Sequence, residues 1–289
     1  MGVLMRRSVL VALVVVSACG RGGDRIVVGS KNFTESDILG EIVAQQIERR
    51  TSLTVERRFH LGGTFVCHQA LTAGQIDLYV EYSGTALVAI LEQPVITDPD
   101  TAFAKVRGLY SRRFGADWLQ PLGFNNTFAM IVRANDAAGI STVSQAALRP
   151  RPWRGGFGYE FMERADGFAG LQRAYGLPFA GPPRVMDLGL TYRALADSQV
   201  DMIAGNSTDG QIEALHLVAL EDDRHYFPPY QAAPVVRVET LRRHPEVGAA
   251  LRELAGRIDD RTMRRLNYLA DVRHRDIVAV AREFLATLP

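Results

Sequence analysis

The segments LTAGQIDLYVEYS (71–83) and LADSQVDMIAGNS (195–207) lie 124 positions apart and share one pattern. Leu71, Gln75, Asp77 and Ser83 are matched by Leu195, Gln199, Asp201 and Ser207. Each copy reads as a helix end, a tight turn, a buried strand and a Ser placed to cap the next helix. Two such units predict two similar α/β lobes, each presenting the carboxyl end of a strand, where open α/β sheets bind ligands.

The flanking sequence fits this reading. Arg25 to Gly29 is a short buried strand, and Glu35 to Arg50 places Ile38, Leu39, Ile42, Val43 and Ile47 on one helical face. Leu53 to Phe59 is a second strand, Thr64 to Ala73 a helix closed by Gly74, and Ile76 to Val80 a third strand. Strand and helix alternate as in a mostly parallel sheet. Phe124 to Val132 is expected to cross between lobes and Ala233 to Val238 to return. Helices are expected over Thr240–Arg257, Asp260–Val272 and Asp276–Leu288. The first lobe is then 25–129 with 233–289, the second 130–232, and two crossings favour hinge closure over a ligand.

The amino terminus reads as an address. Arg6-Arg7 precede the apolar run Ser8 to Val16, too short to span a bilayer but suited to a secretory signal. Val16-Ser17-Ala18-Cys19 resembles a bacterial lipobox, so residues 1–18 are expected to be removed, Cys19 lipidated and 19–24 left as a linker to the membrane surface. The whole chain of 289 residues carries 33 Lys+Arg and 32 Asp+Glu; losing Arg6 and Arg7 leaves 31 against 32, a formal charge of −1. A balance this even argues against nucleic acid as partner. Cys67 would be the sole thiol beside Cys19, so no intrachain disulfide is expected. Lys31 and Lys105 are the only lysines among many arginines.

GSKNFTE (29–35), EYSGT (81–85) and STDG (207–210) each follow a predicted strand and lead into a helix, where backbone N–H groups favour an anionic ligand group. With LGGT (61–64), PLGFNNT (121–127), LEDDRHYFPPYQAAP (220–234) and LNYLADV (266–272), these stretches resemble the substrate-binding proteins of ABC importers for glycine betaine, choline and carnitine. The resemblance covers Arg25 to Leu288. It implies an α/β, two-lobed, type II periplasmic-binding fold, with a permease and its ATPase as partners. It implies no cofactor, metal or catalysis, a monomer, and an extracytoplasmic location.

A trimethylammonium group is charged yet has no N–H to donate, so aromatic faces must hold it by cation–π contact. By resemblance, Tyr82 and Tyr230 are cage rings, Lys31 and Thr85 hold the carboxylate end, and Arg164 is the second lobe's carboxylate-binding Arg. Two positions depart from the family: Phe128 stands where a Tyr is usual, and Asn206 where an aromatic residue is frequent. The internal repeat aligns Asn206 with Tyr82, so one wall of the cleft would be a ring and the other an amide. That combination predicts either weakened betaine binding or a larger zwitterion such as ergothioneine. Bland roles remain for each residue: strand-end packing for Tyr82, core packing for Phe128, a surface position for Arg164, and dipole complementation for Asp209. The histidines lack zinc-type spacing, and neither a nucleophile elbow nor a phosphate-binding glycine loop is present. A stand-alone ligand sensor is the other class compatible with these features.

Overall fold

The computed structural model describes residues 25–289, so the signal, Cys19 and the linker lie outside the described residues. Its strands are Arg25–Gly29 (β1), Thr54–Arg58 (β2), Leu78–Tyr82 (β3), Ala116–Trp118 (β4), Phe128–Arg133 (β5), Gly155–Gly158 (β6), Arg184–Met186 (β7), Met202–Asn206 (β8), Leu217–Leu220 (β9) and Ala232–Arg237 (β10). They form two five-stranded sheets, ordered β2-β1-β3-β10-β4 and β7-β6-β8-β5-β9. In the first, β1 runs parallel to β2 and β3 while β10 is antiparallel to both neighbours. In the second, β6 runs parallel to β7 and β8 while β5 is antiparallel to β8 and β9. The two sheets therefore share one topology, each completed by an antiparallel strand that arrives from the other lobe.

The repeat extends to individual hydrogen bonds. Gln75 N donates to Ala70 O at 2.8 Å and Gln199 N to Ala194 O at 2.9 Å; Gly74 N reaches Leu71 O and Ser198 N reaches Leu195 O, both at 3.1 Å. Asp77 and Asp201 each use Oδ2 to accept the backbone N–H of the neighbouring strand, from Val27 at 2.8 Å and from Arg154 at 3.2 Å. Equivalent turn residues Gly74 and Ser198 are both left-handed, with φ of 71° and 57°.

Several details differ from the sequence reading. The expected crossing at Phe124–Val132 is mostly β5, whose Ala129 to Val132 are buried in succession between two neighbouring strands. Likewise Ala233–Val238 is largely β10, a buried strand of the first sheet. The chain crosses just before each of these strands. There the two crossings pair, through an antiparallel bridge between Asn125 and Gln231 and a bond from Asn126 N to Tyr230 O of 3.1 Å. Ser83 and Ser207 are not helix caps. Ser83 N donates to Gln231 O and its Oγ to Pro229 O, both at 3.0 Å, while Ser207 N donates to Thr127 O at 2.9 Å. Each Ser thus pins its lobe to a crossing. Gly84 permits this, because a Cβ there would lie 2.8 Å from Pro229 O and from the Tyr230 ring.

The helix expected over Thr240–Arg257 breaks into Val238–Arg243 and Pro245–Arg252, since the residue before a proline is disfavoured in helical geometry and His244 sits at φ −131°, ψ 71°. The long Thr34–Arg50 helix buries Ile38, Leu39, Ile42, Val43 and Ile47, all at most 1% exposed, beneath the carboxyl-terminal helices Asp260–Asp271 and Ile277–Ala286. Each such side chain contributes roughly 1.5–3 kcal/mol of gross burial. Asp259 and Asp276 cap the two covering helices by accepting from Thr262 N and Ala279 N.

Gly74→Ala introduces a Cβ at a left-handed position and is expected to cost about 1 kcal/mol. The measurement is a lowered urea midpoint at unchanged slope; an unmoved midpoint would show that the turn relaxes to a right-handed form.

Candidate functional site

The carboxyl ends of β3 and β8, the start of the Thr34–Arg50 helix and the paired crossings enclose a cavity of about 370 Å³ between the lobes. Lys31, Tyr82, Thr85, Phe128, Arg164, Asn206 and Tyr230 all line it. Tyr82 ends β3 and Asn206 ends β8, so the repeat delivers the ring and the amide to equivalent places.

Glu35, in the first turn of its helix and 2% exposed, sits at the floor of this cavity. Its Oε1 accepts from Tyr82 OH at 2.6 Å and Asn126 Nδ2 at 2.7 Å. Its Oε2 accepts from Thr208 Oγ1 at 2.6 Å and Asn267 Nδ2 at 2.7 Å. Burial pushes the Glu35 carboxyl above the usual range, while all four hydrogen bonds pull the other way. The sequence reading gave Glu35 no role, because an acid in a first helical turn looks like ordinary dipole complementation.

Both basic residues expected to bind a ligand carboxylate already hold a protein one. Lys31 Nζ lies 2.6 Å from Glu81 Oε1 and 3.3 Å from Thr64 Oγ1, with both charged side chains at most 5% exposed. Arg164 grips Asp166 with Nε at 2.8 Å and Nη2 at 2.6 Å, and its Nη1 donates to Thr85 Oγ1 at 3.1 Å. Tyr230 OH donates to the same Asp166, to Oδ2 at 2.7 Å. Arg164, Asp166 and Tyr230 therefore act as one unit, and the Thr85 bond carries it across the cleft.

These cations also sit against rings. Lys31 Nζ is 4.6 Å from the centroid of Tyr82 and 5.6 Å from that of Phe33; Arg164 Cζ is 5.2 Å from Phe128 and 6.0 Å from Tyr230. Phe128 packs edge-on against Tyr230 and Phe161, with centroids 5.6 and 5.1 Å apart. Phe128 thus lines the cavity and packs at once.

At the Asn206 wall, Asp209 Oδ2 accepts from Tyr192 OH at 2.6 Å and from Asn206 N at 2.8 Å. This aspartate closes the turn after β8 rather than complementing a helix dipole; the helix that follows is only Gln211–Ala214. Burial pushes its carboxyl up to about 7, opposed by those two hydrogen bonds and aided by the charges of Glu35 and Asp271. Cys67 is buried and its thiol is raised to about 12 by burial, which makes it inert rather than reactive.

Two lobes of like topology, joined by paired crossings and closed on a ring-lined cavity, define a substrate-binding protein of the type II periplasmic class. Residues 24–287 match the model of the substrate-binding domain of ABC-type glycine betaine transport systems, and the chain belongs to that family. It is 37% identical to the carnitine transport binding protein of Listeria monocytogenes, over 96% of this chain and 92% of that one. It is 36% identical to the ergothioneine transport permease/ergothioneine binding protein of Helicobacter pylori, over 91% of this chain and 47% of that one. A solved glycine betaine/carnitine/choline ABC transporter structure superposes with a TM-score of 0.75 at 34% identity, covering 90% of this chain and 97% of the other. The family is one of transport binding proteins, not an enzyme class.

A carboxyl whose folded pKa is raised keeps a proton that the unfolded chain, near 3.9 for Asp, has lost. Its contribution to stability therefore falls as pH rises from about 4 to about 7, then levels. Asp209→Asn keeps an acceptor for Tyr192 and Asn206 N but does not titrate, whereas Glu35 and Asp271 titrate in both proteins. Urea denaturation at pH 5 and pH 8 is expected to show the variant gaining on the wild type at the higher pH; a pH-independent difference would mean that Asp209 stays ionised throughout.

Proposed function

We propose that this chain is the extracytoplasmic, lipid-anchored receptor of an ABC importer. It captures a quaternary-ammonium or betaine-type ligand between its lobes as a monomer and delivers it to a permease driven by an ATPase. The supporting observation is convergence: Tyr82 from β3, Phe128 from β5 and Tyr230 from the return crossing reach one inter-lobe cavity from three parts of the chain. Catalysis has no place in this reading. Among the described residues no group of side chains fits a metal ion, and no helix is long and apolar enough to cross a membrane.

The energetics favour several rings acting together. One cation–π contact supplies roughly 0.5–1 kcal/mol when exposed and about 2 or more when desolvated, whereas micromolar binding corresponds to about −8 kcal/mol. The carboxylate end of a betaine would meet Thr85 and the remaining N–H groups of Arg164. Because Lys31 and Arg164 are each already neutralised by an acid, that end is held by hydrogen bonds more than by net charge. A zwitterion suits such a cleft.

Calorimetric titration with glycine betaine, choline and carnitine tests the reading through two substitutions. Tyr230→Ala is expected to weaken binding by about 2 kcal/mol, roughly thirty-fold. Tyr230→Phe keeps the ring, loses only the bond to Asp166, and is expected to stay within a few-fold of wild type. An unchanged dissociation constant in Tyr230→Ala would remove that ring from the site. The anchor has its own check: Cys19→Ser is expected to move the protein from the membrane fraction to the soluble extracytoplasmic one, and retention at the membrane would exclude lipidation at Cys19.

A further inference from the structure

The internal repeat provides a comparison for one helix. Thr64–Thr72 in the first lobe and Leu188–Ala196 in the second are nine residues each and lie 124 positions apart, the offset that relates Leu71–Ser83 to Leu195–Ser207. The second-lobe copy caps itself: Asp187 precedes it, and the aspartate side chain accepts from Gly189 N at 2.9 Å. At the equivalent position the first-lobe copy has Gly63, with no side chain to offer, and no acid stands in its first turn. The first N–H groups of a helix have no partner within it, so this start needs an acceptor from elsewhere.

The acceptor comes from the other lobe. Glu160, in the short helix Tyr159–Glu163, places Oε2 3.3 Å from Thr64 N. Its Oε1 makes no hydrogen bond among the described residues and lies 3.8 Å from Nη1 of Arg164, one turn on. That same Nη1 donates to Thr85 Oγ1 of the first lobe. One turn of the second lobe thus reaches Thr64 and Thr85 across the cleft.

Gly63 belongs to this arrangement. Its φ of −72° and ψ of −173° suit any residue, so the backbone does not call for glycine. A Cβ there would lie 2.8 Å from Glu160 Oε2 and 3.5 Å from Glu160 Cδ, and among the described residues nothing else beyond its chain neighbours comes within 4 Å. Space at Gly63 is therefore used only by Glu160, and only when the lobes are together. A side chain at this position would cost the fold little, because Glu160 can swing aside, but swinging aside breaks the bond to Thr64.

We propose that Glu160 and Gly63 form a closure latch: the Thr64–Thr72 helix keeps an uncapped start that only the closed form satisfies, and this contact sets how long a captured ligand is retained. A negative group at a helix amino terminus gains from the dipole as well as from the N–H. Because the contact forms after the ligand has entered, it acts on release rather than on entry. Any cargo that lets the lobes close engages it, so the latch does not depend on which ligand is bound.

Two substitutions test it in the purified full chain carrying Cys19→Ser, which leaves no thiol there for lipid or dye. Gly63→Asp gives the helix the cap that its second-lobe copy already has, and Glu160→Ala removes the cap from the other lobe. Closure is read by single-molecule energy transfer between dyes at Ala104→Cys and Ala196→Cys, exposed positions on the first and second lobes. Release is read by stopped flow with glycine betaine and carnitine. Each substitution is expected to lower the closed fraction of the empty protein and to speed release by about five-fold, the weight of one helix cap, with the association rate unchanged. Gly63→Asp is also expected to raise the Tm of the empty protein, and faster release beside a higher Tm does not come from misfolding. In the double variant the two effects are expected to fall short of their product, since both remove one contact. A closed fraction unmoved by either substitution, or effects that multiply in full, would overturn the latch. The closed fraction needs no ligand, so failure of both probes to bind would count against the betaine reading and leave this test standing.

Discussion

The structure depends on one carboxylate that, among the described residues, has no cation beside it. Glu35 is enclosed by four hydrogen-bond donors, and these come from β3, the first crossing, the turn after β8 and the Asp260–Asp271 helix. Burying an isolated charge is costly unless its lone pairs are filled, and hydrogen bonds to a charged group contribute about 1.5–3 kcal/mol each. Burial raises the carboxyl's pKa, and the four hydrogen bonds to its oxygens oppose that rise. Three of the four donor segments also bond one another here, through Ser207 N to Thr127 O, Asn125 N to Asp260 Oδ1 and Asn267 Nδ2 to Thr208 O, so Glu35 sits at the junction where the lobes join, and it orients the hydroxyl of Tyr82.

The two buried ion pairs solve a related problem. A cleft for a zwitterion needs cationic and aromatic groups close together, but an unpaired cation in it would repel the ligand's ammonium. Setting Glu81 against Lys31 and Asp166 against Arg164 leaves each site neutral while keeping N–H donors in place. Buried pairs of this kind contribute little net stability, since desolvation offsets their attraction. Their value here is positional: Arg164 is gripped by Asp166 through Nε and Nη2, lies 5.2 Å from the centroid of the Phe128 ring, and turns Nη1 toward Thr85 of the other lobe.

The fold was largely legible because its signal is local. Leu71 to Ser83 and Leu195 to Ser207 encode the same turn in consecutive residues, and even the paired left-handed positions Gly74 and Ser198 coincide. Crossings were harder to place, since apolar alternation describes a strand equally well whether it links lobes or sits within one; Phe128–Arg133 turned out to be central to its sheet. Seven candidate ligand residues line one cavity; Lys31, Tyr82, Thr85 and Asn206 are carried by strand-to-helix turns, whereas Phe128 opens β5, Arg164 ends a short helix and Tyr230 stands on the return crossing. What sequence could not show is pairing at a distance. Glu35 meets Tyr82, Asn126, Thr208 and Asn267 across 47, 91, 173 and 232 residues, and Asp166 looks like any acid until Arg164 and Tyr230 fold onto it.

Closure follows from how these contacts divide. The bonds of Ser83, Ser207 and Asn125 to the crossings lie at the joint. Others span the cleft: Arg164 to Thr85 at 3.1 Å, and Glu160 Oε2 to Thr64 N at 3.3 Å, where the second lobe caps a helix of the first. Thr208 of the second lobe also meets Glu35 and Asn267 of the first, and bonds of about 0.5–3 kcal/mol net each hold the lobes together only modestly against the entropy of opening. A ligand shifts that equilibrium only by binding the closed form better. Tyr230 is suited to provide that difference, because it stands on a crossing, bonds Asp166 of the second lobe and turns its ring to the cavity. A cation that needs this ring as well as Tyr82 binds fully only when the crossings and both lobes have come together, so recognition and closure draw on the same side chain.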